Sequence, residues 1–117
     1  MTHNMNLKEK PFKKIKNGEK TIELRLNDPK RQKISVGDTI TFTLTENYEK
    51  IFCKVLNFYR YKNFAELYKN LDLKKCGYGE NEISNATYKD MEQYYSKTDE
   101  NKFGVLGIEI ELITDID

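Results

Sequence analysis

One eight-residue segment near the N-terminus concentrates the side chains best suited to chemistry. It runs from Gly18 to Arg25 and also contains Lys20 and Glu23. An arginine can hold a phosphate through two parallel hydrogen bonds, while a lysine supplies a compact point charge. A glutamate can orient either cation or accept a proton from a substrate. The segment is therefore a candidate anion-binding or acid–base site, and the alternative interpretation is an exposed Glu–Arg pair on an ordinary strand.

The hydropathy pattern predicts that this segment leads into a strand. Apolar and polar residues alternate from Thr21 to Leu26, as in a strand with one buried face. Glu23 and Arg25 have the same parity, so both side chains leave the same face. Lys20 has the opposite parity and can join them only if the chain kinks after Gly18.

Strands also dominate the remainder of the chain. Alternating patterns predict strands over Asp38–Leu44, Ile51–Tyr59 and Leu106–Leu112. Helices are expected over Lys8–Asn17, after a cap at Asn63, and over Asn85–Tyr95, and a glycine-bearing loop is expected over Lys74–Glu82. Short helices between strands indicate an α+β fold built round a small mixed or closed sheet.

Charge is distributed unevenly, although the whole chain carries a net charge of only +1. Lys8 to Lys33 includes ten basic and four acidic side chains, whereas Glu80 to Asp117 includes three basic and ten acidic ones. A basic first third suits a polyanion, because lysines neutralise phosphates and release counterions. The same pattern is also typical of a solvated surface whose two halves compensate each other.

Several kinds of protein and site are disfavoured. No stretch approaches the roughly 18 apolar residues of a membrane span, and Cys53 and Cys76 form no CxxC pair. Cys53 falls within a strand as a small core residue, and Cys76 is expected to be exposed in its loop. His3, the single histidine, lies in a terminus expected to be disordered, so no histidine-based triad or metal site is expected. We therefore expect one cytoplasmic domain over residues 1–117, with no cofactor, metal or membrane partner.

The Gly18–Arg25 segment matches a family motif. Gly18, Lys20, Glu23 and Arg25 fit the pattern GxKxxExR, by which the chain resembles the ASCH domain, named for its homology to activating signal cointegrator. The resemblance runs in the family's order from about Met5 to Ile113. Outside the motif it rests on Pro11-Phe12, Asn27-Asp28, Arg31, Val36-Gly37-Asp38, Phe64-Ala65-Glu66-Leu67, Tyr94-Tyr95-Ser96 and Gly104-Val105.

This resemblance implies a PUA-like fold, a small β-barrel of about five to six strands with two to three flanking short helices. In the family the motif lines a basic cleft between barrel and helices, and the implied role is binding RNA or a nucleotide. Tyrosines suit this role because their rings can stack on unpaired bases. The ligand-binding residues expected on this basis are Gly18, Lys20, Glu23, Arg25, Arg31, Tyr94, Tyr95 and Ser96.

Some members of the family resemble enzymes, so a hydrolase acting on a modified nucleoside or on RNA is the alternative. One branch cleaves the acetyl amide of N4-acetylcytidine with a lysine, a threonine three residues later and a downstream glutamate. Lys20 matches the lysine, but Glu23 stands in the threonine position, and either Glu80 or Glu82 matches the glutamate. An enzyme would therefore use Lys20 and Glu23 as its catalytic pair. A third interpretation is a scaffold whose acidic C-terminal third binds a basic protein partner.

Overall fold

Five strands form a single sheet in the computed structural model, which describes residues 1–114. The strands are β1 (Thr2–Leu7), β2 (Ile22–Leu26), β3 (Thr39–Leu44), β4 (Lys50–Tyr61) and β5 (Val105–Leu112). The helices are α1 (Glu9–Lys16), α2 (Pro29–Gln32), α3 (Phe64–Asn70) and α4 (Lys97–Phe103). Two 3₁₀ segments, Ile83–Asn85 and Tyr88–Gln93, lie between α3 and α4.

The sheet has the strand order β1-β3-β4-β5-β2 and forms a half-barrel. β1 pairs with β3 in parallel, and the other three pairings are antiparallel. The long strand β4 pairs with β3 through its first half and continues along β5, with a bulge between Val55 and Asn57. A bulge bends its strand, which helps the sheet to curl. β1 and β2 remain as the two open edges, joined in sequence by α1. The α+β, barrel-like fold expected from the sequence is confirmed.

Apolar residues on both faces of the sheet hold the helices in place. The larger cluster lies on the inner face, where Phe12 and Ile15 of α1 pack among strand residues such as Phe42 and Ile108. Phe12 and Ile15 are three residues apart, as one face of a helix requires. The smaller cluster lies on the other face of β2 and β5, under Leu67 and its neighbours in α3. Burying each such side chain contributes about 1.5–3 kcal/mol.

The N-terminus forms a strand, so the expectation of a disordered terminus at His3 is wrong. β1 pairs with β3 along its whole length. Nε2 of His3 lies 2.8 Å from Oδ2 of Asp38, and the terminal amine lies 3.4 Å from Oδ1 of the same carboxylate. The sequence pattern does not predict this strand, because Met5 and Leu7 are its only buried apolar side chains.

The segment before β5 also differs from expectation. Asn85–Tyr95 does not form one helix, because Thr87 is extended and caps a new 3₁₀ segment over Tyr88–Gln93. The structure adds two helices that the sequence pattern did not predict. One is α4, which has no buried residue to mark it. The other is the short α2, which follows Asp28 and includes Lys30 and Arg31. No helix within residues 1–114 combines the length and apolarity needed to cross a lipid bilayer.

Candidate functional site

Glu23 lies at the centre of a buried group of charges, which we call the charge cluster: Lys20, Glu23 and Arg25. The side chain of Glu23 is only 5% exposed, and its two carboxylate oxygens bind different cations. Nζ of Lys20 lies 2.9 Å from Oε1, and Nε of Arg25 lies 2.8 Å from Oε2. Both cations are also largely buried. The structure therefore brings the three charged motif residues together and excludes an exposed Glu–Arg pair.

The protonation state of Glu23 follows from its two partners. Burial raises the pKa of Glu23, but the charges and hydrogen bonds of Lys20 and Arg25 outweigh burial and hold that pKa below its ordinary value. Glu23 is therefore ionised at neutral pH and is a weak proton acceptor. Two cations facing one carboxylate leave one net positive charge, so the charge cluster favours an anionic ligand.

Arg25 also connects the two open edges of the half-barrel. Its Nη2 donates to the carbonyl oxygen of Asn6 in β1 over 3.1 Å, while its Nε donates to Glu23 in β2. No backbone ladder joins β1 to β2 in the described part of the chain. A guanidinium can bridge these groups because its donors are fixed in a planar fork. Arg25 thus stabilises the fold independently of any ligand.

Lys20 reaches Glu23 because the chain turns sharply between α1 and β2. Gly18 has a φ of +86°, a left-handed conformation that favours glycine just after a helix. The backbone N–H of Lys20 then donates to the carbonyl of Lys14. Gly77 packs against the aliphatic stem of Lys20, where a Cβ would be 3.1 Å from Cδ. The kink that Lys20 needs in order to join the other two charges is present.

The loop from Lys74 to Glu82 is fastened to α1 by Glu82. The carboxylate of Glu82 binds Lys10 at 2.6 Å and Lys14 at 2.8 Å, and these hydrogen bonds lower its pKa to about 2. Glu80 is exposed and lies 3.6 Å from Lys74 of the same loop. Neither glutamate pairs with the charge cluster within residues 1–114.

Cys76 lies within the same loop and is buried, so the expectation of an exposed thiol is wrong. The backbone N–H groups of Thr21 and Ile22 donate to the carbonyl of Lys75, which draws the loop onto the start of β2. Burial raises the pKa of Cys76 to about 12, so the thiol is inert at neutral pH. Cys53 is buried within β4, as expected.

Tyr95 lies near Arg25 of the charge cluster, and Tyr94 precedes it in the chain. Tyr95 stacks on Phe64 with ring centroids 5.8 Å apart. Burial raises the pKa of Tyr95, and the nearby charge of Arg25 opposes that rise. Tyr94 is 59% exposed, and its ring centroid lies 6.4 Å from that of Tyr95. One tyrosine is therefore packed beside the cations, and its neighbour presents a free ring to solvent.

Two other residues expected to bind a ligand already have structural contacts. Nη1 of Arg31 lies 3.3 Å from Oδ2 of Asp28, whose other oxygen caps α2. Nε of Arg31 is buried and has no hydrogen-bond partner among the described residues. The hydroxyl oxygen of Ser96 accepts a hydrogen bond from the N–H of Asp99 and caps α4. Ligand contact by either residue stays a prediction.

A cavity of about 390 Å³ is lined by one member of the charge cluster, Lys20. Gly18, Lys20 and Thr21 line one part of it, and Glu109 and Glu111 of β5 line another. The alternating pattern of the last strand predicts that both glutamates lie on its outward face, but it does not predict that they lie near the motif. That link depends on the pairing of β2 with β5, which no local pattern reveals. Within residues 1–114 no three His, Cys, Asp or Glu side chains are grouped so as to hold a metal ion.

The comparisons with known proteins identify the family and the fold. The sequence matches the family model of the ASCH domain over residues 5–114. The chain belongs to the ASCH domain family. This ASCH domain is similar to the crystal structure of the hypothetical protein PH0355, with 35% identity, a TM-score of 0.83, and coverage of 97% of this chain and 100% of that one.

Two further solved structures are similar to this ASCH domain. It is similar to the protein PF0455 from Pyrococcus furiosus, with 31% identity, a TM-score of 0.75, and coverage of 98% of this chain and 100% of that one. ZmASCH from Zymomonas mobilis shares the fold at 15% identity, with a TM-score of 0.64 and coverage of 97% and 72% of the two chains. No curated protein matched the sequence.

Proposed function

We propose that this ASCH domain binds RNA or a nucleotide at the charge cluster. The observation that carries the proposal is the pairing of two buried cations with the single carboxylate of Glu23. The surplus positive charge suits a phosphate, and a buried site strengthens the attraction because its effective dielectric constant is low. Lys20 and Arg25 hold the anionic or carbonyl part of the ligand.

Tyr94 and Glu23 supply the remaining recognition. The exposed ring of Tyr94 is available to stack on an unpaired base, and every base offers a suitable face. The ionised carboxylate of Glu23 can accept a hydrogen bond from a base amine, or it can fix the orientation of Lys20. Charge therefore attracts the ligand, and stacking selects a single strand.

Fluorescence anisotropy with a labelled single-stranded RNA of about ten nucleotides tests the proposal, since one small binding site covers roughly 4–16 nucleotides. Affinity is expected to fall as salt rises. Tyr94→Ala is expected to weaken binding about 5- to 150-fold, the equivalent of about 1–3 kcal/mol per stacked base.

The matched control is Tyr48→Ala, which removes an exposed tyrosine from the hairpin between β3 and β4, outside the site. This variant is expected to bind as the wild type does. The proposal fails if the protein does not bind RNA or a nucleoside monophosphate at low salt. It also fails if both tyrosine variants lose the same affinity.

A nucleoside hydrolase is the second candidate, favoured by Lys20, which pairs with Glu23 and also lines the cavity of about 390 Å³. Water would add to the acetyl carbonyl of N4-acetylcytidine, and the C–N bond would break to give cytidine and acetate. We place binding first because the lowered pKa of Glu23 makes it a weak base. Mass spectrometry of incubations with N4-acetylcytidine and with RNA separates the two. Product formed by the wild type and absent with Lys20→Ala would establish an enzyme.

A further inference from the structure

The lysines of α1 are the most concentrated cations in the sequence, but carboxylates already neutralise most of them. A surface lysine that is held by a carboxylate gains less from a phosphate than an unpaired surface cation does, because the existing ion pair must first be broken. Lys10 and Lys14 bind Glu82, Lys13 binds Glu9, and Lys16 binds Glu49. The α1 surface is therefore a weaker site for a polyanion than its composition suggests.

Four cations near the ends of β2 and β4 have no such partner. Lys30 and Lys33 belong to the segment around α2, and Arg60 and Lys62 belong to the end of β4. All four are exposed, and no carboxylate of residues 1–114 lies within 4 Å of their charged groups. We call these four residues the basic rim.

The strand register places the basic rim next to the charge cluster. Arg25 in β2 and Arg60 in β4 both stand opposite Leu106 of β5. Residues directly opposite each other on neighbouring strands lie on the same face of a sheet, so Arg25 and Arg60 share a face. Their Cα atoms are roughly 10 Å apart, since neighbouring strands lie about 4.8 Å apart.

Contacts at the strand ends relate the two halves of the basic rim, one of which follows β2 while the other lies at the end of β4. The N–H of Asn27 donates to the carbonyl of Gly104. A Cβ on Gly104 would lie 3.1 Å from the carbonyl oxygen of Tyr61 and 4.0 Å from that of Lys62. β2 and β4 therefore end on either side of Gly104, and α2 begins at Pro29, shortly after β2 ends.

Arg60 is also preorganised to receive a nucleotide. Its guanidinium lies over the ring of Phe58, with Cζ 4.9 Å from the ring centroid. This contact supports one side of the planar group, while the side chain as a whole stays exposed. A guanidinium plane can hydrogen-bond a phosphate or stack on an unpaired base.

We infer that the basic rim is a track for the phosphate backbone of a single-stranded nucleic acid, leading away from Arg25. The inference rests on the proposed function and sharpens it. The ligand is an oligonucleotide that spans several phosphates, and a mononucleotide fills only the charge cluster. Because Glu9, Glu49 and Glu82 pair with the lysines of α1, the strand follows the basic rim and not the lysine-rich helix.

Two double variants test this track, and each removes two positive charges. One carries Arg60→Gln and Lys62→Gln in the basic rim, and its matched control carries Lys13→Gln and Lys16→Gln in α1. All four side chains are exposed, and thermal unfolding followed by circular dichroism checks that both proteins fold. Anisotropy titrations over a range of salt give the affinity for a single-stranded RNA of about ten nucleotides. Parallel titrations use a nucleoside 5′-monophosphate.

The rim variant is expected to reduce the slope of log K against log salt by about 1.4, since each lost phosphate contact removes about 0.7. The α1 control is expected to keep the wild-type slope, and the monophosphate is expected to bind all three proteins equally. An unchanged slope in the rim variant, or an equal reduction in the α1 control, overturns the track. Monophosphate binding as tight as RNA binding overturns the track but leaves nucleotide binding at the charge cluster intact. If the wild type binds neither the RNA nor the monophosphate, the proposed function is overturned as well.

Discussion

Nη2 of Arg25 and the carbonyl oxygen of Asn6 lie 3.1 Å apart, and this hydrogen bond joins the two open edges of the half-barrel. The same guanidinium neutralises Glu23 through its Nε. One side chain therefore fastens β1 to β2 and also compensates a buried carboxylate. The motif arginine of this ASCH domain has a structural role that a ligand-based account alone would miss.

Replacing Arg25 by alanine is expected to destabilise the fold. The change removes the link to Asn6 and leaves Glu23 with only one cation, so the free energy of unfolding should fall by about 3 kcal/mol. Arg25→Lys should lose less, because it keeps the charge but not the planar fork. Urea unfolding measures both values. Lys54→Ala, an exposed change on β4, is the control and should stay within about 0.5 kcal/mol of the wild type. Equal stability of the two alanine variants would contradict the structural role of Arg25.

Acid is expected to destabilise the protein over a defined range. The hydrogen bond from His3 lowers the pKa of Asp38 to about 2, and those from Lys10 and Lys14 lower the pKa of Glu82 to about 2. The ordinary values are 3.8 and 4.5, so the folded state binds fewer protons than the unfolded state as the pH falls. Their stabilisation is therefore complete above pH 4.5 and is lost towards pH 2.

Urea unfolding between neutral pH and about pH 2.5 measures this effect. The free energy of unfolding should decrease mainly below the ordinary pKa of a glutamate, about 4.5. Glu82→Gln should make the decrease shallower, because one of the shifted groups is removed. A free energy of unfolding that stays constant across the acid range would show that these ion pairs do not stabilise the folded state.

The relative placement of the motif side chains could be predicted from the sequence, but their burial could not. The parity of Glu23 and Arg25 predicted one shared face, and Lys20 could join them only if the chain kinked after Gly18, as it does in the structure. The burial of Glu23 was not predictable, because it depends on long-range contacts. The loop that packs on Lys20 at Gly77 and the strand that carries Asn6 both come from distant parts of the chain.

The same limit explains the elements that were missed. β1 has only two buried apolar side chains and is defined by its pairing with β3, which no local pattern encodes. α4 has no buried residue and begins with a serine cap, so it lacks the apolar period of a packed helix. β5, in contrast, alternates along most of its length and was predicted correctly.

Gly77→Ala is expected to impair both stability and ligand binding. Gly77 has a φ of +108°, so any side chain there is strained, and its Cβ would press on Cδ of Lys20 at 3.1 Å. Gly37→Ala is the matched control, because Gly37 has a φ of +94° but nothing within 4 Å of its added Cβ. Both variants should lose about 1–2 kcal/mol of unfolding free energy, whereas only Gly77→Ala should weaken RNA binding. Equal RNA affinity of the two variants would show that the position of Lys20 does not matter to the ligand.

Tyr78→Phe is expected to loosen the segment that leads to the exposed tyrosines. The Tyr78 hydroxyl lies 2.7 Å from the Tyr68 hydroxyl and donates to Oδ2 of Asp90 at 2.7 Å, so it links α3, the Lys74–Glu82 loop and the 3₁₀ segment. Removing it leaves two buried or half-buried polar groups without this partner and should cost about 1–3 kcal/mol of unfolding free energy.

Hydrogen exchange locates the effect of Tyr78→Phe. Amides of the 3₁₀ segment Tyr88–Gln93 should exchange faster in the variant, while those of β5 keep their protection relative to global unfolding. Tyr48→Phe removes a hydroxyl from an exposed ring and should change neither stability nor exchange. If the 3₁₀ segment exchanges at the wild-type rate in Tyr78→Phe, the cap between Thr87 and Asp90 holds that segment alone. The hydrogen bond between Tyr68 and Tyr78 would then have no part in positioning Tyr95 near Arg25.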